Sequence, residues 1–177
     1  MLFSDRSIWT MIHGIVLTGG ALAALAAALF FVYAMRPASE AETLTPRQRE
    51  ALSRVAVGGA ALLWLAVIVG TYVIFPQYRV TPPEGTTDLA MYPRAMLLAN
   101  PDTAWLHAFA MEIKEHVPFI AAMLATAVAF VAMRSPAQLV RDARVRGAGM
   151  TLLTICLLLV AVAGLLGVFI NKVAPLQ

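Results

Sequence analysis

Charge is scarce in this chain: Asp, Glu, Lys and Arg together make 13% of 177 residues, well below the quarter that a soluble domain carries. With 60% of residues hydrophobic, the composition excludes an ordinary soluble globule. Cysteine is nearly absent. The single Cys156 rules out an internal disulfide, and without a C-x-x-C-H there is no attachment point for a c-type haem. Cys156 lies in an apolar run and reads as a small, polarisable packing residue. The chain has no P-loop, no dinucleotide-binding glycine fingerprint, no G-x-S-x-G and no HExxH, so nothing marks a hydrolase or a nucleotide-binding enzyme. Nor is there a basic helix interleaved with aromatics, so the net charge of +3 does not point to nucleic acid.

Apolar runs are what the chain has in quantity. Four stand out, at 8–35, 55–75, 117–133 and 147–170. With their amphipathic flanks they predict helices at about 8–35, 51–75, 103–133 and 138–171. Each can cross a hydrocarbon core of about 30 Å at a rise of about 1.5 Å per residue. The expected fold is therefore all-α: a four-transmembrane-helix bundle with a long, partly helical outer loop between helices two and three, residues 1–177 forming a single integral membrane domain. "MLFSDRSIWT" pairs its one arginine with an aspartate, and the apolar run after it outlasts a signal h-region, so the first span is expected to be retained.

Arginine sets the expected orientation. Arg36, Arg47, Arg49 and Arg54 lie between spans one and two, and Arg134, Arg141, Arg144 and Arg146 between three and four. The opposite side holds Arg6, Arg79, Arg94, Lys114 and Lys172. This bias predicts a multi-pass protein of a bacterial-type inner membrane, with both termini and the long loop periplasmic. Trp9, Tyr72, Tyr78, Tyr92 and Trp105 fall around that outer boundary, as an aromatic belt would.

Helix boundaries carry ordinary capping chemistry. "LTPRQRE" offers Thr45 as N-cap with Pro46 behind it, and "RSPAQLV" repeats the pattern at Ser135 and Pro136, predicting an extension of helix four. In the long loop, Thr87 or Asp88 is expected to cap a short amphipathic helix at about 89–98, and Asn100-Pro101-Asp102 to restart the chain as helix three. Glycine and alanine recur at small-xxx-small spacing, as at Gly20 and Ala24, which suits close helix contact or clears room for a flat cofactor.

The chemistry-bearing residues gather at the outer side: His13, His107, and the turn "MEIKEHVPFIAAM" that opens the third apolar run. On an ideal helix His13 shares a face with Leu17, Gly20, Ala24 and Ala27, a run of small residues along which a porphyrin could lie. His116 shares a face with Glu112, whereas His107, nine residues earlier, points to the opposite side. Counting from the cytoplasmic arginines puts His13 and His116 within about 7 Å in depth. One reading makes His13 and His116 the axial ligands of a b-type haem, oriented by Glu112 or Glu115. A second builds a copper or other metal site at the outer face from His13, His116, Glu112 and His107. A third, overlapping the first, is a quinol pocket of Glu112, His116 and Arg79, where a carboxylate–histidine pair accepts protons. On the bland reading "EIKEH" is the solvated end of helix three, and the chain is a cofactor-free accessory or assembly subunit.

With histidines on separate helices near one face, the layout resembles the small four-helix membrane b-type cytochromes. The resemblance covers the whole chain as architecture and rests on no family-specific motif. It implies a subunit of a respiratory or photosynthetic electron-transfer complex, with haem b or quinone as cofactor, and the lipid bilayer and other membrane subunits as partners. Proteins of that kind commonly bear a histidine pair or two; here helices two and four hold no histidine, so at most one haem could have two histidine ligands. No ionisable residue is expected deep in a span, which argues against ion translocation by this chain alone.

Overall fold

A computed structural model of the chain describes residues 4–35 and 44–175; Arg36, counted above among the basic residues, lies outside them. Four long helices dominate: α1 (Asp5–Ala34), α2 (Pro46–Tyr78), α4 (Pro101–Arg134) and α6 (Ala143–Val173). Two short ones intervene, α3 (Pro93–Ala99) in the long connection and α5 (Pro136–Arg141) before α6. No strand occurs among the described residues. The long helices hold 30 to 34 residues and are apolar enough to cross a membrane. At 1.5 Å per residue they run about 45–50 Å and overhang a ~30 Å hydrocarbon core at both ends.

Packing follows a closed square. Helix α1 lies against α2 and α6, and α4 lies against the same two, so α1 faces α4 across one diagonal and α2 faces α6 across the other. The core is built from small side chains because the helices approach closely. Ala21, Ala28, Ala121, Ala122 and Ala132 are fully buried between Leu25, Leu52, Leu63 and Leu153. A β-carbon on Gly59 of α2 would stand 3.2 Å from Ala24 Cβ of α1. Lipid tails are as apolar as leucine, so such bundles are held by dispersion and interhelical hydrogen bonds rather than by expulsion of water. The Ser53 hydroxyl donates to the Ala132 carbonyl at 2.7 Å, and Trp64 Nε1 donates to Thr126 Oγ1 at 3.0 Å. Cys156 is buried with its thiol directed at the Ala121 carbonyl, 3.4 Å away.

The caps follow the sequence in part. Thr45 opens α2 with a reciprocal capping box to Gln48, and Asn100 Oδ1 accepts from Asp102 N to open α4. Ser135 does not extend helix four: its side chain caps nothing, and the α5 turn that follows ends at Asp142. Asp142 Oδ1 instead accepts from Arg144 and Val145 and starts α6 afresh. A carboxylate on orphan N–H groups is a stronger cap than a hydroxyl whose backbone has already turned away. The loop helix is likewise shorter than expected. Asp88 satisfies Ala90 N in a local turn, and Pro93 at the first helical position then fixes the start of α3.

One departure from regular geometry recurs. Three long helices carry a π-helical segment: Ile12–Gly19 in α1, Gly70–Ile74 in α2 and Leu106–Met111 in α4. All three lie toward the end of the bundle that carries the long connection, here called the loop end. Each such segment inserts a residue and turns the following side chains by about a third of a turn.

Candidate functional site

His13, Gly20 and Ala24 of α1 all turn toward α2. The buried stripe of α1 runs Leu17, Ala21, Leu25, Ala28 and Val32. Gly20 and Ala24, assigned above to a porphyrin face, are in contact with α2. A β-carbon on Gly20 would stand 3.2 Å from Leu62 Cδ1, and Ala24 meets Gly59. His13 itself lies on Gly70 of α2: a β-carbon there would stand 2.9 Å from ring atom Cε1. Only glycine leaves that space. The Ala66 carbonyl, one turn before Gly70, hydrogen-bonds the ring, while Nδ1 is screened from solvent and has no partner. Nε2 is thus the donor, and Nδ1 keeps its lone pair.

Opposite His13 on the diagonal stands Lys114 of α4. Sequence reasoning placed it on the solvated end of that helix; the structure turns it inward. Its Cε and Nζ lie 3.1 and 3.3 Å from where a β-carbon on Gly167 of α6 would be, and its charge acts on the His13 ring. Among the described residues no carboxylate pairs with its ammonium. Each of two side chains from one diagonal therefore fills space left by a glycine of the other, near enough for the lysine charge to act on the imidazole. Pro118, one turn further along α4, also lacks the N–H that would bond the Lys114 carbonyl. Gly167 lies six residues before Val173, and His13 eight after Asp5. The pair thus sits about 9–12 Å below the loop end, at the edge of the hydrocarbon layer.

Above this pair lies a second polar contact. Tyr78, the last residue of α2, is 3% exposed, so it belongs to the core rather than to an aromatic belt. Trp9, Tyr72 and Trp105 do face outward. The Tyr78 hydroxyl is 2.8 Å from His107 Nδ1, and the two rings lie 5.9 Å apart. Leu97 of α3, Leu106 and Met111 of α4, Ile170 of α6 and Ala174 just past its end enclose the tyrosine. The charges of Arg94 and Glu115 reach both partners, and those of Arg79 and Glu112 reach His107. Arg79 lies over the Phe75 ring at 5.3 Å.

His116 is not part of either arrangement. Its side chain is 71% exposed, its Nδ1 is 2.8 Å from the Glu112 carbonyl oxygen, and the Glu112 carboxylate is 3.7 Å away. Two residues after Lys114, it points away from the bundle when Lys114 points in. His13 and His116 do not face one another, and the glycine face proposed for a porphyrin is closed by helix contact, so the residues present do not fit a b-type haem between these two histidines. His107 is bonded to Tyr78 and His116 lies beside Glu112. Among the described residues, no three His, Cys, Asp or Glu side chains converge as a metal site would require. Of the quinol set, Glu112 and His116 remain paired at the surface, while Arg79 lies on Phe75.

Sequence reasoning missed Lys114 and Tyr78. A signal existed for the lysine: Gly167 is the small residue that such a long side chain needs opposite it, but nothing in one sequence pairs a glycine with a particular partner.

Fold and site together define a multi-pass, all-helical membrane protein with a polar pair inside its bundle. No family model matches the chain, and comparisons with curated proteins and with solved structures return no match.

Proposed function

We propose that this chain is a membrane subunit of an electron-transfer complex, and that its interior His13–Lys114 pair receives a quinol head group. The observation that carries this is the inward pair itself: an imidazole with a free acceptor nitrogen and an unpaired ammonium, near the edge of an apolar bundle. Burying an ammonium without a counter-charge is costly, and a ligand oxygen that gains negative charge as it loses a proton would offset that cost. His13 Nδ1 accepts a hydroxyl proton from the quinol; the Lys114 ammonium hydrogen-bonds the oxygen left behind. A lipid-soluble quinol reaches this depth from the bilayer. Its two electrons pass one at a time to a one-electron redox centre of a partner subunit, and its two protons are taken up in turn by His13, which discharges the first toward the loop end before the second. On this reading the orientation expected from the arginines puts proton release on the periplasmic side. The clustering of three π segments around the site also supports it, since such segments gather at functional sites.

The test is binding of a short-chain quinone to the full chain in nanodiscs, with Lys114→Met and His13→Leu. The expected result is saturable binding weakened at least tenfold in each variant, with folding unchanged by circular dichroism. Absent or unchanged binding overturns the site and leaves the chain as an accessory subunit that contacts neighbours through its apolar faces.

A further inference from the structure

We propose that the outer groove between α4 and α6, at the end of the bundle opposite the long connection, holds an anionic phospholipid whose phosphate is bound by Arg134 and Arg144. The inference is independent of the interior pair. Contacts between the two helices set their register. Lys114 meets Gly167, and the Cys156 thiol lies 3.4 Å from the Ala121 carbonyl, so the helices run antiparallel. Arg134 is thirteen residues on from Ala121, and Arg144 is twelve back from Cys156. At 1.5 Å per residue the two arginines stand level to within about 2 Å. Both are exposed, and each heads an exposed stripe. On α4 the stripe continues through Phe130, Ala127 and Met123; on α6 it continues through Ala148, Thr151, Ile155 and Leu158. Steps of four and three residues keep each stripe on one helix face, here the face turned to lipid.

Charge decides the occupant. The described residues at this end, 44–54 and 134–147, hold seven arginines and two carboxylates, Glu50 and Asp142. Both carboxylates are engaged: Glu50 pairs with Arg54 at 2.6 Å, and Asp142 accepts the first N–H groups of α6. Arg49 and Arg146 are spent on the backbone carbonyls of Leu44 and Val140. Among the described residues, the side chains of Arg134 and Arg144 have no hydrogen bond or ion pair. A guanidinium fork matches the geometry of a phosphate, and an ammonium-bearing zwitterionic lipid would bring its own cation into the same place. Two such forks at the membrane surface therefore favour a lipid of net negative charge. Room for the head group is present: a β-carbon on Gly147, one turn after Arg144, would meet nothing within 4 Å. One lipid molecule supplies the anion at the level of the arginines and the apolar chains below it, in the order in which the two stripes run.

The experiment places the full chain in phosphatidylcholine bilayers with a trace of spin-labelled phosphatidylglycerol or spin-labelled phosphatidylcholine. Electron paramagnetic resonance reads the fraction of each label immobilised on the protein. The variants are Arg134→Gln, Arg144→Gln and their combination, with Arg54→Gln as the control, since that arginine is already paired with Glu50. The expected result is a preference for phosphatidylglycerol of about fivefold or more, reduced by each single substitution and abolished by the pair. Arg54→Gln should keep the preference in full. No preference in the unaltered chain overturns the site, as does a preference that survives both substitutions. Equal loss in Arg54→Gln also overturns it, because the end would then act as a diffuse field of charge. Excess inorganic phosphate should leave the labelled lipid in place; its displacement would assign the arginines to free phosphate and overturn the lipid site.

Discussion

Lys114 and Gly167 interlock across α4 and α6: the ammonium nitrogen of the lysine lies 3.3 Å from where the glycine would carry a β-carbon. The lysine can stay inside the bundle because its neighbour has no side chain. Replacing Gly167 by leucine should expel Lys114 toward the loop end and destabilise the bundle by about 1–3 kcal/mol, the usual range for overpacking. Reaction of Lys114 with an amine-selective reagent, followed by peptide mapping, should rise in the variant. Equal reactivity would mean that the lysine already reaches the surface.

Gly70 should tolerate alanine less well than Gly167 does. A β-carbon at Gly70 would stand 2.9 Å from a ring atom of His13, and a ring held by packing yields less than the end of a flexible lysine. Gly70→Ala is expected to lower the thermal midpoint in nanodiscs and to displace the His13 NMR signals. Gly167→Ala should leave both nearly unchanged.

His116→Ala should have little effect on stability or on quinone binding. Its pairing with Glu112 is solvent-exposed and 3.7 Å long, and exposed pairs contribute about 0–1 kcal/mol. A reduced-minus-oxidised spectrum of the haem-supplied protein gives the same comparison an optical readout. A b-type band abolished by both His13→Ala and His116→Ala would reverse this reading in favour of the haem.

Cys156 should be inert in the folded protein. It is buried with its thiol directed at Ala121, so a membrane-permeant maleimide should label it only after denaturation. Rapid labelling under native conditions would show that α4 and α6 part at that level.

Membrane orientation is open to a direct assay. In a Cys156→Ala background, a cysteine at Thr86 in the long connection should react with an impermeant maleimide added to whole cells, while one at Thr45 should not. The reverse pattern would invert the expected topology and with it the side on which protons leave.

The long apolar runs, the caps at Thr45 and Asn100 and the proline-broken connection were all legible in the sequence, because they depend on local chemistry: hydrophobic length, orphan N–H groups and fixed proline φ. The functional side chains were harder to read. Faces were counted on ideal helices, and the count could not say that α2 would cover Gly20 and His13 together and leave no open face for a cofactor. The charged turn at 112–116 was legible as a feature, but which of its residues faced inward was not. A lysine and a histidine two positions apart point to nearly opposite sides, and only the packing of α4 between α2 and α6 chose Lys114. Sequence by itself thus determined a four-span membrane bundle with its polar chemistry toward one end, since bilayer thickness and backbone hydrogen bonding leave few alternatives. Tertiary structure alone decided which polar groups turn inward, because glycines on two helices had to line up with long side chains on the other two.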